Sequence, residues 1–155
     1  MESVGALRVR AYQAQGLLAA NPPYARVLRS LGADGHGTVL VAAEDREILG
    51  TVMLEPWHDG SEVARGRDEA EVRALAVAPS AQRRGVARAL MRAAMDLAAT
   101  TGAARLLLCT RPEMAAAQAL YRSLGFGRLP ALDWVPVPGV TLLAFGIPMD
   151  AAGQS

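Results

Sequence analysis

The chain has 155 residues, the length of one ordinary domain with a single core, and we predict one domain over residues 1–150 and a short tail over residues 151–155. Its 16 basic and 15 acidic residues nearly cancel, so the overall charge favours neither a nucleic acid nor an anionic membrane as a partner. No apolar run reaches the roughly 20 residues that a membrane-spanning helix needs, and the first residues lack a signal-peptide pattern, so we expect a cytoplasmic protein.

In the first half of the chain, the sequence predicts two helices and a β-hairpin. The helices, separated by two prolines, cover residues 9–20 and 24–31. The hairpin has apolar strands at residues 38–43 and 48–54, joined by four charged residues. The polar stretch at residues 55–68 contains proline and glycine and is predicted to be a loop.

The second half of the chain alternates strands and helices. Strands are predicted at residues 69–77 and 105–110, and the helix predicted at residues 86–100 would join them as a parallel pair with a right-handed crossover. A further helix is predicted at residues 113–124, because proline precedes it and glycine follows it. Two more strands are predicted on either side of a loop over residues 130–139, and they cover residues 126–129 and 140–147.

Cysteine and histidine are scarce, which argues against disulfide or metal chemistry. Cys109 is the only cysteine, and it follows three leucines in a predicted buried strand, so we interpret it as a small core residue. His36 and His58 have no second ligand at metal spacing. We therefore predict no metal cofactor and no disulfide within the chain.

The segment between the strand at residues 69–77 and the helix at residues 86–100 is typical of an anion-binding turn. It reads Gln82-Arg83-Arg84-Gly85-Val86-Ala87. Because Gly85 and Ala87 carry little bulk, a ligand can approach the backbone N–H groups at the helix N-terminus, where the helix dipole also favours negative charge. The arginines of the turn, with Arg88, add side chains that bind phosphate oxygens.

Two common phosphate sites are absent from the sequence. The chain contains neither G-x-x-x-x-G-K-[ST], which binds nucleotide triphosphates, nor G-x-G-x-x-G, which binds dinucleotides. A tight strand-to-helix connection with solvated arginines is the simpler interpretation of the glycine and the arginines by themselves. The turn alone therefore leaves open a phosphate site of another kind and a purely structural connection.

Two motifs in order along the chain resemble those of the GCN5-related N-acetyltransferases. Leu75-Ala76-Val77-Ala78-Pro79 followed by the turn is similar to motif A, which has Q-x-x-G-x-G/A after a strand. The block from Ala117 to Phe126, with Leu120-Tyr121 and Gly125-Phe126, is similar to A-x-x-L-Y-x-x-x-G-F in motif B. The pair is far more specific than either motif alone, and the resemblance covers residues 38–126 best.

The resemblance implies an α/β (α+β) fold with a central, mostly antiparallel sheet and helices on both faces. It also implies an enzyme that uses acetyl-CoA as cosubstrate and transfers the acetyl group directly to a primary amine of a small molecule or protein, with no metal. Two alternatives remain open, a non-catalytic acyl-CoA-binding or sensing module and a transferase that uses another acyl-CoA. A homodimer formed through the C-terminal strands is a further implication.

The resemblance further implies which residues bind acetyl-CoA. The turn would bind the pyrophosphate, and the backbone at the end of the preceding strand would pair with the pantetheine arm, with the Val77 N–H polarising the thioester carbonyl. Met114 occupies the position where many relatives have an asparagine. The hydrogen bond that this asparagine would make to pantetheine is therefore not expected here. The implied cofactor-binding residues are Leu75, Ala76, Val77, Gln82, Arg83, Arg84, Gly85, Val86, Ala87, Arg88, Met114, Ala117 and Tyr121.

Two catalytic residues are implied in the same way. Tyr121 would protonate the departing thiolate, with a core aromatic side chain as the alternative interpretation. Glu71 aligns with a glutamate that some relatives use to deprotonate the amine. Regular strand alternation places Glu71 and Arg73 on one face with Leu75 and Val77, so an ion pair between Glu71 and Arg73 is an alternative to a base, and a water chain or backbone carbonyl is another.

Acceptor specificity is expected to come from the variable parts of the chain. Exposed aromatic residues in loops beside a cleft are typical of a partly apolar pocket, although loop residues that pack on their own turn explain them equally well. The segments concerned are residues 21–24, 57–58 and 133–138.

Overall fold

The computed structural model describes residues 2–14 and 37–149. The described helices are α1 (Glu2–Ala14), α2 (Val86–Thr100) and α3 (Ala115–Ser123). The described strands are β1 (Thr38–Glu44), β2 (Glu47–Pro56), β3 (Glu69–Val77), β4 (Arg105–Thr110), β5 (Gly127–Arg128), β6 (Trp134–Val137) and β7 (Val140–Pro148). Short 3-10 turns lie at Pro79–Ala81 and Pro130–Leu132. Among the described helices, none has the length and apolarity needed to cross a membrane.

The strands are hydrogen-bonded in the order β1-β2-β3-β4-β7-β5, with β6 paired to β7. The pairs β1–β2, β4–β7, β5–β7 and β6–β7 are antiparallel, whereas β3–β4 is parallel, with Glu69 opposite Arg105 and Val72 opposite Leu108. A parallel pair needs a long crossover connection, and α2 lies in that connection. The prediction of a mixed α/β fold with a mostly antiparallel sheet is confirmed.

The chain divides into two compact units. The first unit comprises residues 1–55 and 73–94, and the second comprises residues 56–72 and 95–155. Strand β3 contributes its first four residues to the second unit and its last five to the first. The assignment of residues 1–150 to one domain stays a prediction.

The core of the first unit includes one face of α1. Leu7 and Ala11 are buried against Ala76 of β3, with Ile48 packed on the same cluster. Val4, Leu7 and Ala11 are all buried and recur at helical spacing, which explains why this segment is helical. The helix predicted at residues 9–20 begins earlier than expected, at Glu2, and residues 15–20 of that prediction lie outside the described residues.

The core of the second unit includes part of the segment that follows β2. Val63 and Ala64 are buried against Leu107 of β4 and Ala144 of β7, and Trp57 packs on this cluster. Residues 57–68 contain neither helix nor strand, as predicted for the loop, although β2 extends to Pro56. A segment that buries apolar residues in the core is fixed by packing, which its polar composition did not indicate.

Two further elements differ from the sequence-based expectations. Strand β6 lies within the predicted loop at residues 130–139 and pairs with β7 in an irregular register, with Trp134 opposite Leu142 and Val137 opposite Val140. Its four residues include Pro136, which is unusual within a strand, so the pattern did not indicate one. The helix predicted at residues 24–31 lies outside the described residues.

Candidate active-site residues

The predicted anion turn joins β3 to α2 through two left-handed residues. After the 3-10 turn at Pro79–Ala81, Arg83 has a φ of 65° and Gly85 a φ of 79°, and the side chains at residues 82–85 are exposed. A Cβ atom on Gly85 would meet nothing within 4 Å, so glycine is favoured there by backbone conformation and not by lack of space. The turn is therefore open to solvent.

The N-terminus of α2 directly follows the left-handed Gly85. The first helical hydrogen bond is donated by Ala89 N to the Gly85 carbonyl at 3.0 Å. The first N–H groups of an α-helix point away from its hydrogen-bond ladder, and the helix dipole places partial positive charge there. Val86 is buried and Ala87 half-buried, which anchors this end of the helix beneath the exposed turn. The arrangement fits a phosphate group.

Arg84 is already engaged by a carboxylate of the first unit. Its Nη2 lies 2.9 Å from Oε2 and 3.1 Å from Oε1 of Glu44, at the end of β1. The Arg84 side chain is 46% exposed and the Glu44 side chain 57% exposed. Ion pairs this exposed contribute little to stability, so the pair can exchange with an incoming anion.

Strand β3 is interrupted just before the residues predicted to bind pantetheine. Ala74 has a φ of 55°, which in a strand interior is typical of a bulge. The expected alternation from Glu71 to Val77 stays a prediction. Beyond Ala74, Leu75 and Val77 are half-buried while Ala76 is buried. The role of Leu75, Ala76 and Val77 in binding stays a prediction.

Gly50 of β2 allows α2 to pack closely, a role that the sequence analysis missed. A Cβ atom on Gly50 would lie 2.8 Å from Val86 Cγ1 and 3.0 Å from both Leu90 Cδ1 and the Ala76 carbonyl oxygen. The signal was present, because an isolated glycine inside an apolar strand often marks a close approach. Gly50 thus helps to position the helix that begins at the anion turn.

Glu71 lies in the second unit and is 1% exposed. Its Oε1 accepts a hydrogen bond from Glu62 N at 2.8 Å, and its Oε2 accepts one from Val63 N at 2.9 Å. Arg73 forms an ion pair with Glu55 at 3.7 Å. The two backbone donors fix the orientation of the Glu71 carboxylate, and the expected pairing with Arg73 stays a prediction.

Tyr121 lies on α3 in the core of the second unit and is 5% exposed. Its ring centroid lies 6.0 Å from that of Phe126 and 6.2 Å from that of Phe145. Burial raises the pKa of Tyr121 well above its usual value of 10.0. The phenol is therefore protonated at neutral pH, as a proton donor must be.

Met114 and Ala117 lie at the start of α3. Met114 occupies the N-cap position without a capping side-chain hydrogen bond, and its sulfur accepts a hydrogen bond from Thr110 Oγ1 at 3.3 Å. Gln118 Nε2 donates to the carbonyl oxygens of Arg111 and Pro112, which ties the helix to the loop before it. Ala117 is half-buried. The binding roles of Met114 and Ala117 stay predictions.

The structure brings most predicted cofactor-binding residues together in the first unit. Three others, Met114, Ala117 and Tyr121, lie in the second unit, as does Glu71, which was predicted to be catalytic. No group of three or more metal-ligating side chains is found in the part of the chain that the structure describes.

Comparison with known proteins identifies the family of the chain. The family model described as "Acetyltransferase (GNAT) family" matches residues 7–126, and no curated protein matches the chain. The ribosomal-protein-S18-alanine N-acetyltransferase of Escherichia coli is 25% identical over 77% of this chain and 74% of its own, with a TM-score of 0.59.

Two other solved structures share the fold. An acetyltransferase of the GNAT family from Staphylococcus aureus Mu50 is 13% identical over 96% of this chain and 92% of its own, with a TM-score of 0.73. A Bacillus subtilis acetyltransferase in complex with CoA is 20% identical over 86% of this chain and 89% of its own, with a TM-score of 0.63. Because the family model matches most of the chain, the chain belongs to the GCN5-related N-acetyltransferase (GNAT) family of acetyltransferases.

Proposed function

We propose that the chain transfers an acetyl group from acetyl-CoA directly to a primary amine of a small molecule or protein. The observation that carries this proposal is the exposed turn before α2, where two left-handed residues and exposed arginines directly precede the helix N-terminus. Such a turn suits a pyrophosphate. It lies within the region that matches the family model.

The residues present fit acetyl-CoA, which when bound supplies the acetyl group as an activated thioester. Residues 82–88 would hold the pyrophosphate through backbone N–H groups and arginine side chains. The backbone of residues 75–77 would pair with the pantetheine arm, and Met114 and Ala117 would contact it. Val77 N–H would polarise the thioester carbonyl, which is the group where negative charge develops during transfer.

Tyr121 and Glu71 would move the two protons of the reaction. The Tyr121 phenol would give its proton to the departing thiolate. Glu71 would receive the proton of the amine, and its two backbone hydrogen bonds hold the carboxylate ready in one orientation. A carboxylate oxygen can accept more than one hydrogen bond, so these bonds leave room for an amine or a water molecule.

One observation favours the second candidate function, a non-catalytic module that binds acyl-CoA. The ring of Tyr121 packs between Phe126 and Phe145, as a purely structural core residue would. Both candidates require the anion turn, and only the enzyme requires the phenol. Removal of the phenolic hydroxyl alone therefore separates them.

The acceptor is the least constrained part of the proposal. The Escherichia coli relative is named for an alanine of ribosomal protein S18, which supports a peptide with an N-terminal alanine as one test acceptor. A suitable panel adds spermidine for small polyamines and Nα-acetyl-lysine methyl ester for lysine side chains. A homodimer through the C-terminal strands is a further proposal, which light scattering in solution tests.

The test begins with ligand binding and then measures transfer. A ligand that binds only the folded protein raises its melting temperature, so acetyl-CoA and CoA should raise it, whereas NAD and ATP at equal concentration should not. Release of free CoA thiol is then measured with each acceptor and confirmed by mass spectrometry of the acetylated product. A rise with NAD or ATP alone would overturn the proposal, and CoA binding without any transfer would favour the non-catalytic module.

A further inference from the structure

The segment between β2 and β3, residues 57–68, is held tightly within the second unit. Val63 is 1% exposed and Ala64 3% exposed, and both pack against Leu107 and Ala144. Trp57, at the start of the segment, packs on the same cluster. Packing at the start and in the middle means that the segment keeps one conformation, although it contains no regular secondary structure.

Glu69 joins the two ends of this segment through hydrogen bonds of its backbone and its side chain. Its carbonyl oxygen accepts a hydrogen bond from Trp57 N at 3.2 Å, and its N–H donates to the Gly66 carbonyl at 3.0 Å. Its Oε1 accepts a hydrogen bond from Arg65 N at 2.7 Å. Its Oε2 lies 3.0 Å from Arg105 Nη1 on β4. One residue thus joins both ends of the segment and ties them to the sheet.

Glu71 holds the middle of the same segment. Its two oxygens bind the N–H groups of Glu62 and Val63 at 2.8 and 2.9 Å. Glu69 and Glu71 are two residues apart on β3 and precede the bulge at Ala74, so their side chains share a face of the strand. The two buried carboxylates therefore fasten one segment at two points.

The position of Glu71 relates this segment to the acceptor. If Glu71 takes the amine proton, the amine must come within hydrogen-bond distance of its carboxylate. Glu62 lies beside that carboxylate, because its own N–H is bound to it. An amine bound to Glu71 would therefore lie next to Glu62 and Val63.

We propose that residues 57–66 form a preordered wall of the acceptor site, and that Glu69 is the positioning residue that holds the wall in place. The acceptor is a cationic amine that meets the Glu62 carboxylate on its way to Glu71. This inference rests on the proposed function, because it needs an acceptor amine at Glu71. It extends that function by assigning acceptor recognition to a segment that is separate in sequence from the anion turn.

The first experiment separates the two interactions of the Glu69 carboxylate, the hydrogen bond that holds the wall and the ion pair with Arg105. Glu69→Ala removes both the Arg65 N–H bond and the Arg105 ion pair, whereas Arg105→Gln removes only the ion pair. With the panel member that the wild-type protein acetylates fastest, Glu69→Ala should raise the acceptor KM about threefold to tenfold, the effect of one lost hydrogen bond. Arg105→Gln should leave it within about twofold, because the hydrogen bond from Arg65 N to Glu69 is kept. Glu69→Gln, whose amide oxygen can still accept from Arg65 N, should restore most of the affinity.

A second measurement does not depend on the acceptor. Hydrogen exchange followed by mass spectrometry should show faster exchange across residues 57–66 in Glu69→Ala than in the wild-type protein and in Arg105→Gln. The KM for acetyl-CoA and the kcat should change little, because the positioning role concerns the acceptor. A loss of fold in Glu69→Ala would show as faster exchange throughout the chain, and the next pair of variants then decides.

Glu62→Gln and Asp59→Asn make a matched pair of charge removals on the same segment. Glu62 is half-buried beside Glu71, whereas Asp59 is exposed at a turn. Glu62→Gln leaves its backbone bond to Glu71 intact and should raise the acceptor KM severalfold, while Asp59→Asn should leave it unchanged. The proposal is overturned if Glu62→Gln and Asp59→Asn change the acceptor KM equally. It is also overturned if the acceptor KM is unchanged both in Glu62→Gln and in a folded Glu69→Ala.

These outcomes are distinct from failure of the proposed function. If the wild-type protein binds CoA but acetylates no panel member, the enzyme proposal fails before any variant is compared. If the wild-type protein acetylates an acceptor and the Glu69 and Glu62 variants leave its KM unchanged, the enzyme proposal stands and the wall does not.

Discussion

Arg84 of the anion turn and Glu44 at the end of β1 form an ion pair, although 40 positions separate them in the chain. Both contacts use the same guanidinium nitrogen, Nη2, at 2.9 and 3.1 Å. The neighbouring hairpin residues Asp45 and Arg46 have φ values of 50° and 69°, a pair of left-handed residues that makes the tight turn after Glu44. The hairpin therefore positions the Glu44 carboxylate next to Arg84, which is predicted to bind phosphate.

Removal of the Glu44 charge should strengthen CoA binding. In the free protein the carboxylate neutralises Arg84, and a bound phosphate would compete with it. Glu44→Gln should lower the Kd for CoA about twofold to fivefold at low ionic strength, as expected for an exposed pair. The gain should shrink as salt screens the interaction. Isothermal titration calorimetry over a salt series measures both effects.

Glu47→Gln is the matched control for this prediction. Glu47 is an exposed carboxylate on the other strand of the same hairpin, opposite Glu44 in the register. If removal of its charge strengthens CoA binding as much as Glu44→Gln does, the effect comes from general charge and not from the pair with Arg84. A combined Glu44→Gln and Arg84→Ala variant should show no gain over Arg84→Ala alone.

Gly50→Ala should disturb the start of α2. The new methyl group would lie 2.8 Å from Val86 and 3.0 Å from the Ala76 carbonyl oxygen, so the helix or the strand must shift. We expect the free energy of unfolding to fall by about 1–3 kcal/mol, the usual effect of overpacking. The increase in melting temperature caused by CoA should also become smaller, because the displaced helix carries the anion turn.

Gly127→Ala provides the comparison for Gly50→Ala. A Cβ atom on Gly127 would meet nothing within 4 Å, and this glycine does not adopt a left-handed φ. Its replacement should leave both the unfolding free energy and the response to CoA near those of the wild-type protein. The close-packing argument fails if Gly50→Ala behaves in the same way.

Tyr121→Phe tests the proposed proton donor while keeping the packed ring. Loss of a general acid should lower kcat about 10²- to 10⁴-fold. The Kd for acetyl-CoA and the melting temperature should change little, because the contacts with Phe126 and Phe145 involve only the ring. Stopped-flow or endpoint assays of CoA release measure the first effect. A kcat within a few-fold of the wild-type value would rule out the phenol as the acid.

The buried thiol of Cys109 should make the free energy of unfolding depend on pH in the alkaline range. Burial is the main reason that its pKa is raised from 9.0 to about 12. Above pH 9.0 the thiol ionises in the unfolded chain but stays protonated in the folded protein, so the unfolded state binds fewer protons. The free energy of unfolding therefore falls as the pH rises from 9.0 toward about 12. Cys109→Ala should show a shallower fall when denaturation is followed by circular dichroism. An identical slope in the variant would contradict the assignment.

Local features were predictable because they depend on near neighbours in the chain. The strand, turn and helix from Glu69 to Thr100 were predicted with the bounds that the structure shows, since alternating apolar residues, a proline and a glycine mark each change within a few positions. The left-handed φ of Ala74 was not predicted, because alanine rarely adopts that conformation and nothing in the sequence indicates it there.

The sequence by itself determined the family and the mixed α/β class, because the motif residues that carry them are close together in the chain, and it predicted an anion turn. Only the tertiary structure decided which side chains meet across long separations. It paired Glu44 with Arg84, placed Gly50 against Val86, and bound both oxygens of Glu71 to the backbone of residues 62–63. Such contacts follow from strand pairing and helix packing, and no spacing pattern in the sequence specifies them.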